Sequence, residues 1–436
     1  MATSSLKIIF SIFSILPLLV FSQNNFSVYG YVEDSLSGEK LPGASILIES
    51  NRNGTTTNNS GFFTISSPQK TIRLLISHAG YMPGSCDLHL DGNKQVVIKL
   101  LADTKMEEVM VKTYPGAGVG NDAYSGQISL SPQVIKKLPR FLGEPDVLKA
   151  LQLFPGVTRG IEISSDILVR GGGPEQNLIL LDGTQIYNPS HFLGIFSTFN
   201  SNALKNVEVY KGGFPARFGG RLSSVVDLVM KDGNMKEFHG EGNIGFLLSN
   251  ITLEGPLKKD KTSFLFSARR TYPDLIAGAV LKLSSDKLQN FSTYFYDVNA
   301  KLHHIFSPKD RIFASFFSGQ DVFHVANKSE TDTSILFNST KIKWGNTIGT
   351  LQWDHVFSNR LFAHTLLNYT AYKFRSDLGY QDQVKDLNTE ARANYFSGIN
   401  DVGIRTDFDY RPTPGARCQI RLRRHFSSIS PFLFNA

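Results

Sequence analysis

After its first two dozen residues this chain holds no apolar run long enough for a helix across a bilayer, yet beyond Gly233 it settles into long alternating segments. Asn299, Lys301 and His303 interleave with Val298, Ala300, Leu302 and His304, while Asp401, Arg405, Asp407 and Asp409 interleave with Val402, Ile404, Phe408 and Tyr410. A strand turns successive side chains to opposite faces, so each segment carries one polar and one apolar face. In hydrocarbon the backbone donors and acceptors of a strand find partners only in neighbouring strands. The pattern therefore predicts part of an antiparallel transmembrane β-barrel over 236–436, polar positions toward a lumen and apolar positions toward lipid. Turns are expected at Lys258–Lys261, Ser307–Asp310, Ser358–Arg360 and Arg411–Gly415, with loops of about 20 residues at the opposite end, among them Pro273–Asn290 and Lys328–Lys341. The segments make eight or nine strands, according to whether Phe238–Pro256 is one bulged strand or a hairpin.

The first residues, MATSSLKIIFSIFSILPLLVFSQ, place Lys7 before an apolar run from Ile8 to Phe21, interrupted by Pro17, with Val20-Phe21-Ser22 as a cleavage pattern. This reads as a signal peptide over 1–22, the alternative being an uncleaved anchor. No cysteine follows the cut, which leaves a lipid-anchored amino terminus unsupported. The net charge of +7 is spread along 436 residues with no RNP-like or zinc-finger pattern, so nucleic acid is not an expected partner. Cys86 and Cys418 stand in different regions and offer neither a disulfide framework nor a metal site.

Between leader and barrel the chain changes character three times. From Phe26 to about Leu100, short alternating segments separated by turn residues predict an all-β sandwich, assigned to 23–102. Residues 103–120 form a linker in which Glu107, Glu108, Val109, Met110 and Val111 make a short extended segment, either the last strand of the sandwich or a strand offered to a partner sheet. Within 121–235, Gln127–Thr158 reads as helical in pieces, with Val147, Leu148, Leu151 and Phe154 on one face and Pro155-Gly156 as the stop. The stretch DILVRGGGPEQNLILLDGTQIYNP, from Asp166 to Pro189, reads as two short strands folded around Gly171, Gly172 and Gly173. Asp182-Gly183 then closes a hairpin whose return strand is Gln185–Tyr187. Val207, Val209 and Val225–Val229 predict two further strands, with glycine pairs at 212–213 and 219–220 between them.

Catalytic patterns are missing from the sequence. G-x-S-x-G, H-E-x-x-H, C-x-x-C and the phosphate loop do not occur, and Arg170-Gly171-Gly172-Gly173-Pro174 lacks the lysine and following helix of the last. Adjacent His303 and His304 point to opposite faces of a strand and cannot chelate together. The chain is therefore expected to be no enzyme and to need no cofactor or metal.

Three ordered motifs, PRFLGEPDVLKALQLFPGV, ILVRGGGPEQNLILLDGTQIYNP and NVEVYKGGFPARFGGRLSSVVDLVMKDG, closely resemble the plug domain of TonB-dependent outer-membrane receptors. Arg170, Gly171, Gly172, Gly173, Gln176, Asp182, Gly183, Gly219, Gly220 and Arg221 fall on its motif positions. Gly30, Gly38, Pro42-Gly43-Ala44, Gly54-Thr55, Gly61-Phe62 and Gly80-Tyr81 likewise resemble a carboxypeptidase-regulatory-like domain, the appendage of Bacteroidetes-type receptors. The resemblance implies a mainly β chain: amino-terminal β-sandwich, α+β plug, and the first strands of a barrel that in plugged transporters has 22. It implies uptake of an unidentified substrate across the outer membrane of a Gram-negative cell, with the amino-terminal domain in the periplasm. Glu107–Val111 would be the TonB box, and Arg170 with the hairpin to Tyr187 would seat the plug. Partners would be TonB with its inner-membrane energising complex, outer-membrane lipid and a surface lipoprotein. The segment ending GARCQIRLRRHFSSISPFLFNA places arginines where alternation should continue and stops before half a barrel is built. A gene fragment or a chain cut short both fit that, and a non-transporting envelope or periplasmic interaction protein is the alternative function.

Overall fold

The computed structural model describes residues 26–103, 127–130, 134, 137, 140–141, 144–160, 164–284, 288–331, 333–384, 387–412 and 416–435. The leader and the linker segment Glu107–Val111 lie outside the described residues. Strands occupy 66% and helices 6% of the structure, in keeping with the mainly β class.

The largest unit is a nine-stranded antiparallel sheet in strict chain order. Its strands are His239–Ile244, Leu248–Lys258, Thr262–Thr271, Leu288–Ser307, Asp310–Glu330, Ser334–Val356, Leu361–Val384, Leu387–Tyr410 and Cys418–Asn435. The 238–256 segment is thus a hairpin. The alternation holds on both faces. Asn299, Lys301 and His303 are buried against the domain that the sheet wraps, as are Asn346, Gln352 and Asp401. Leu302, Phe316, Leu351, Trp353, Leu367, Tyr369, Val402 and Ile404 are exposed on the outer face, an apolar surface such as lipid would cover. The arginine-rich last segment forms the ninth strand; Arg417 just before it pairs with Asp409 at 2.7 Å, and Arg421 within it pairs with Asp407.

The turns at Lys258–Lys261, Ser307–Asp310 and Ser358–Arg360 fall where alternation predicts them, while 413–415 of the fourth lie outside the described residues; the opposite end differs. Strands of 20 to 24 residues run there to Glu330 and from Ser334, and to Val384 and from Leu387, so Lys328–Lys341 is mostly ladder, with Lys328 opposite Phe337. Its Ser, Thr and Asn content imitates a loop, yet polar strands are stable when both neighbours complete their hydrogen bonds. Pro273–Ser284 is a helix packed on the fourth strand.

Inside the sheet sits a five-stranded mixed sheet in the order Thr184–Gln185, Asn177–Leu181, Ser224–Met230, Leu204–Tyr210, Gln127–Leu130. Gln127–Leu130 is therefore a strand and not helical. Ile128 opposite Val209 and Leu130 opposite Val207 complete an apolar sheet edge, and that pairing outweighs local preference. The helix is Val147–Leu151, capped by Asp146, whose side chain accepts from the Lys149 amide at 3.1 Å. Ile167–Val169 and Asn177–Leu181 do not pair with each other. The first pairs with Val157–Arg159 and the second with Ser224–Met230, because Gly171 and a single 3-10 turn at Pro174–Gln176 carry the chain out of the first sheet. Leu265, Phe317 and Ile348 of the large sheet join the core of this inner domain, so wall and filling share one apolar interior.

The amino-terminal domain is a sandwich of a three-stranded and a four-stranded sheet around Val28, Val32, Ile46, Phe63, Leu74 and Ile98. Gly30 marks the tightest crossing in its first strand: with φ at +151°, an added Cβ would lie 1.7 Å from the Val96 carbonyl oxygen of the parallel neighbour. Gly43, at φ +75°, has open space around that position. Gly30→Ala should therefore destabilise this domain by about 3 kcal/mol, the upper end for overpacking, since a ladder carbonyl cannot step aside. Gly43→Ala should cost only the left-handed backbone term of about 1–2 kcal/mol. Denaturant unfolding of the two variants side by side would show the order reversed if the crossing is not as tight as described.

Candidate functional site

Chemistry-bearing side chains gather where the inner domain meets the wall. Asp182 and Gly183 have φ of 48° and 78°, the paired positive values that a type I′ turn needs and that this dipeptide tolerates. The turn thrusts Asp182 toward the fourth strand, where Lys301 Nζ lies 3.1 Å from its Oδ2. The same ammonium lies 3.0 Å from Asp232 Oδ1 and donates to the Met230 carbonyl at 3.1 Å. All three ionised side chains are at most 2% exposed. Asp232 is also paired with Lys205 at 3.2 Å. Burial alone would raise the Asp232 pKa, but Lys205, Lys301 and Lys40 outweigh it and hold the carboxylate well below its usual range.

A second clamp was not foreseen from the sequence. His191 is buried between two wall carboxylates, Nε2 at 2.7 Å from Asp297 Oδ1 and Nδ1 at 2.6 Å from Asp321 Oδ2. Its ring stacks on Phe295 at 4.1 Å, and Arg269 pairs with the other oxygen of Asp297. The Phe192 amide donates to Asp321 at 2.8 Å, which holds a loop where Phe192 and Leu193 both take left-handed backbone. Burial would lower the His191 pKa, but Asp297 and Asp321 raise it to about 9. No local pattern marks His191. Inward-facing charges on predicted strands, Lys301 among them, were the available signal that the wall holds polar partners for something inside.

The amino-terminal sandwich closes onto the same region from the turn end. Glu39 Oε1 accepts from the Asp232 amide at 2.6 Å, and the Met235 amide donates to the Ser37 carbonyl at 2.8 Å. Glu33 pairs with Arg311 at 2.7 Å, the Arg311 guanidinium lies 3.5 Å from the centre of the Tyr31 ring, and Phe62 stacks on Phe362 at 4.8 Å. Arg411, in the turn between the last two strands, donates to Thr55 and to the Thr64 carbonyl.

The residues singled out by sequence divide into a group around the glycine run and a group that faces the wall. Arg170, itself at φ 50°, donates its amide to the Gly156 carbonyl at 3.0 Å and lies exposed beside Gly212. Gly172 packs so closely on Ser223 that an added Cβ would stand 2.5 Å from its hydroxyl, and the Gln176 carbonyl accepts from the Leu222 and Ser223 amides. An added Cβ at Gly173 would meet only the flexible Glu175 carboxylate, while Gly219 and Gly220 face open space and Arg221 reaches back to the Gly220 carbonyl. The second group, Asp182 and Gly183, faces the wall. There Gln352 donates to the Asp182 carbonyl at 3.0 Å, Thr370 to the Gln185 carbonyl at 3.0 Å, and the Tyr187 hydroxyl to Asp401. Glu107, Glu108, Val109, Met110 and Val111 lie outside the described residues.

Comparison with known proteins bears on the inner domain and on the sandwich. Residues 128–226 match the TonB-dependent Receptor Plug Domain, and residues 28–111 match the CarboxypepD_reg-like domain. The chain thus carries a TonB-dependent receptor plug behind a regulatory-like sandwich. TonB-dependent receptor P26 of Formosa agariphila is 28% identical over 209 residues, 45% of this chain but only 20% of that relative. Among solved structures, a mutant of the ferric enterobactin receptor PfeA of Pseudomonas aeruginosa is 14% identical with a TM-score of 0.37, over 71% of this chain and 58% of that one. The outer membrane transporter YddB of Escherichia coli is 10% identical with a TM-score of 0.39, over 71% and 57%.

Two outcomes follow for the seat. Lys301→Met leaves Asp182 and Asp232 short of a buried partner and should cost about 3–5 kcal/mol, read as a lower unfolding midpoint of the detergent-solubilised chain. A midpoint within a degree of the wild type would remove Lys301 from the seat. His191 behaves as a group whose folded pKa lies above its unfolded value of about 6.5. Its contribution is complete below pH 6.5 and is lost as pH rises through about 9. Stability should therefore fall between pH 6.5 and 9.5 by on the order of 3 kcal/mol, and the fall should be absent in His191→Gln.

Proposed function

We propose that this chain is the amino-terminal part of a TonB-dependent outer-membrane receptor that imports a substrate, with no catalytic step of its own. The observation that carries the reading is the plug match at 128–226 together with the buried ion pairs that tie this domain to strands with an apolar outer face. Substrate would bind on the side of the long strand ends, above the plug. The turn end, where the sandwich docks, would then face the periplasm.

TonB, driven by its inner-membrane energising complex, is the proposed partner on that side, with Glu107–Val111 as the segment it engages. An extended segment lends unpaired amides and carbonyls to a partner's sheet edge, and alternate side chains set the register. Pulling on that segment loads the chain toward Gln127, which is an edge strand of the plug sheet and so the first element that force reaches. The clamps at Lys301 and His191 then set how much of the plug moves. A surface lipoprotein on the substrate side and lipid around the outer face complete the proposed partners.

A peptide of residues 103–114 should bind a TonB carboxy-terminal domain, and Val109→Pro should weaken it at least tenfold by deleting a ladder donor and fixing φ. Equal binding of the two peptides, measured by titration calorimetry, would exclude the segment as the TonB contact.

A further inference from the structure

We propose that four guanidinium groups between the plug and the last two strands bind a small oxyanion of phosphate size. Arg217 of the plug, Arg405 of the eighth strand, and Arg421 and Arg423 of the ninth line a cavity of about 50 Å³, with Gln185 and Asp401 on its rim; a fifth arginine, Arg424, also borders it but lays its guanidinium over the Phe426 ring at 4.9 Å. A water needs about 10–15 Å³ by the same measure, so the space suits roughly four oxygens, as many as one tetrahedral oxyanion has.

The charges around this cavity do not balance. Arg421 holds Asp407 through two nitrogens, with Nη2 at 2.8 Å, and Arg405 Nε stands 3.3 Å from the same carboxylate. One aspartate therefore serves two arginines. Arg217 leans on Glu208 at 4.0 Å and donates from its two terminal nitrogens to the Tyr210 hydroxyl and the Asn59 side chain. Arg423 has no ion pair among the described residues. Asp401 is engaged by the Tyr187 hydroxyl and lies 3.8 Å from His425. Asp227, on the plug side, is pushed up to about 7 by burial and by Glu208, so at neutral pH it supplies only part of a counter-charge.

Two donors are also left without acceptors. The Nε–H groups of Arg217 and Arg405 are buried and make no hydrogen bond, the Arg405 contact to Asp407 being out of line. Gly183 lets the Arg405 guanidinium lie against the hairpin backbone, since an added Cβ would come to 3.0 Å from Nη2. Partly buried cations in excess of their carboxylates are costly, and planar guanidinium forks match the oxygens of phosphate or carboxylate better than they match chloride. A site built from both plug and wall would report whether the plug is seated. Movement of the plug carries Arg217 away from the three wall arginines and disperses the site.

Inorganic phosphate titrated into the full chain in detergent, at constant ionic strength set with chloride, should bind saturably at one site. Arg423→Gln removes an exposed side chain with no ion pair, so the fold is untouched, and it should weaken phosphate about tenfold, the share of one charge-assisted contact. Asp407→Asn frees two guanidinium groups and should tighten it. No saturable binding, unchanged affinity in Arg423→Gln, or weaker binding in Asp407→Asn would each overturn the assignment. None of these measurements involves TonB or transport, so their failure leaves the receptor reading standing.

Discussion

Three chain segments far apart in sequence share one buried lysine. Lys301 belongs to the wall, Asp182 to the plug hairpin and Asp232 to the passage between plug and wall, and the ammonium lies within 3.1 Å of both carboxylates. An ion pair away from water carries a desolvation cost that attraction only offsets when the remaining donors are also used, and here the third goes to the Met230 carbonyl. Such a pair adds little net stability over a well-packed apolar contact, but it tolerates no misplacement. The network therefore fixes position more than it adds strength. One registry of plug against wall satisfies Lys301, and any other leaves a buried charge alone.

That logic extends to the amino-terminal sandwich. Glu39 caps the Asp232 amide and faces Lys205 at 3.9 Å, so the charge network at the plug's base continues into a separately folded domain. Burial raises the pKa of Glu39, with Lys205 opposing, and lowers that of Lys40, with Asp232 opposing. Each is kept in place by the charge opposite. Apolar contacts of Tyr31 and Phe62 with Val356 and Phe362 give the docking its area, and the ion pairs give it direction.

Much of this architecture is visible in the residues because period-two alternation constrains a strand on two faces at once. The turn positions and the inward set Asn299, Lys301, His303 follow from it directly. The Asp182-Gly183 turn is legible for a similar reason, since few dipeptides accept two consecutive positive φ values. What stayed hidden depends on partners distant in the chain. His191 sits in an apolar stretch, HFLGIF, and only the approach of Asp297 and Asp321 gives it a role. Gln127–Leu130 carries no mark of a strand until Val207 and Val209 are beside it, and the separation of the glycine motif into two parts is set by which sheet each strand joins.

The long strands of the wall bear on how a ligand could be held. Leu361–Val384 and Leu387–Tyr410 are each 24 residues, about 80 Å of ladder at roughly 3.3 Å per residue, where a hydrocarbon layer of about 30 Å needs less than half of that. In the proposed outer-membrane setting the remainder would rise clear of the bilayer as hydrogen-bonded sheet. Loops that close over a ligand give up backbone entropy of about 1–2 kcal/mol for every residue they order. A paired wall has already lost that freedom during folding. A binding surface carried on it is preorganised, and its selectivity rests on shape and spacing set before the ligand arrives.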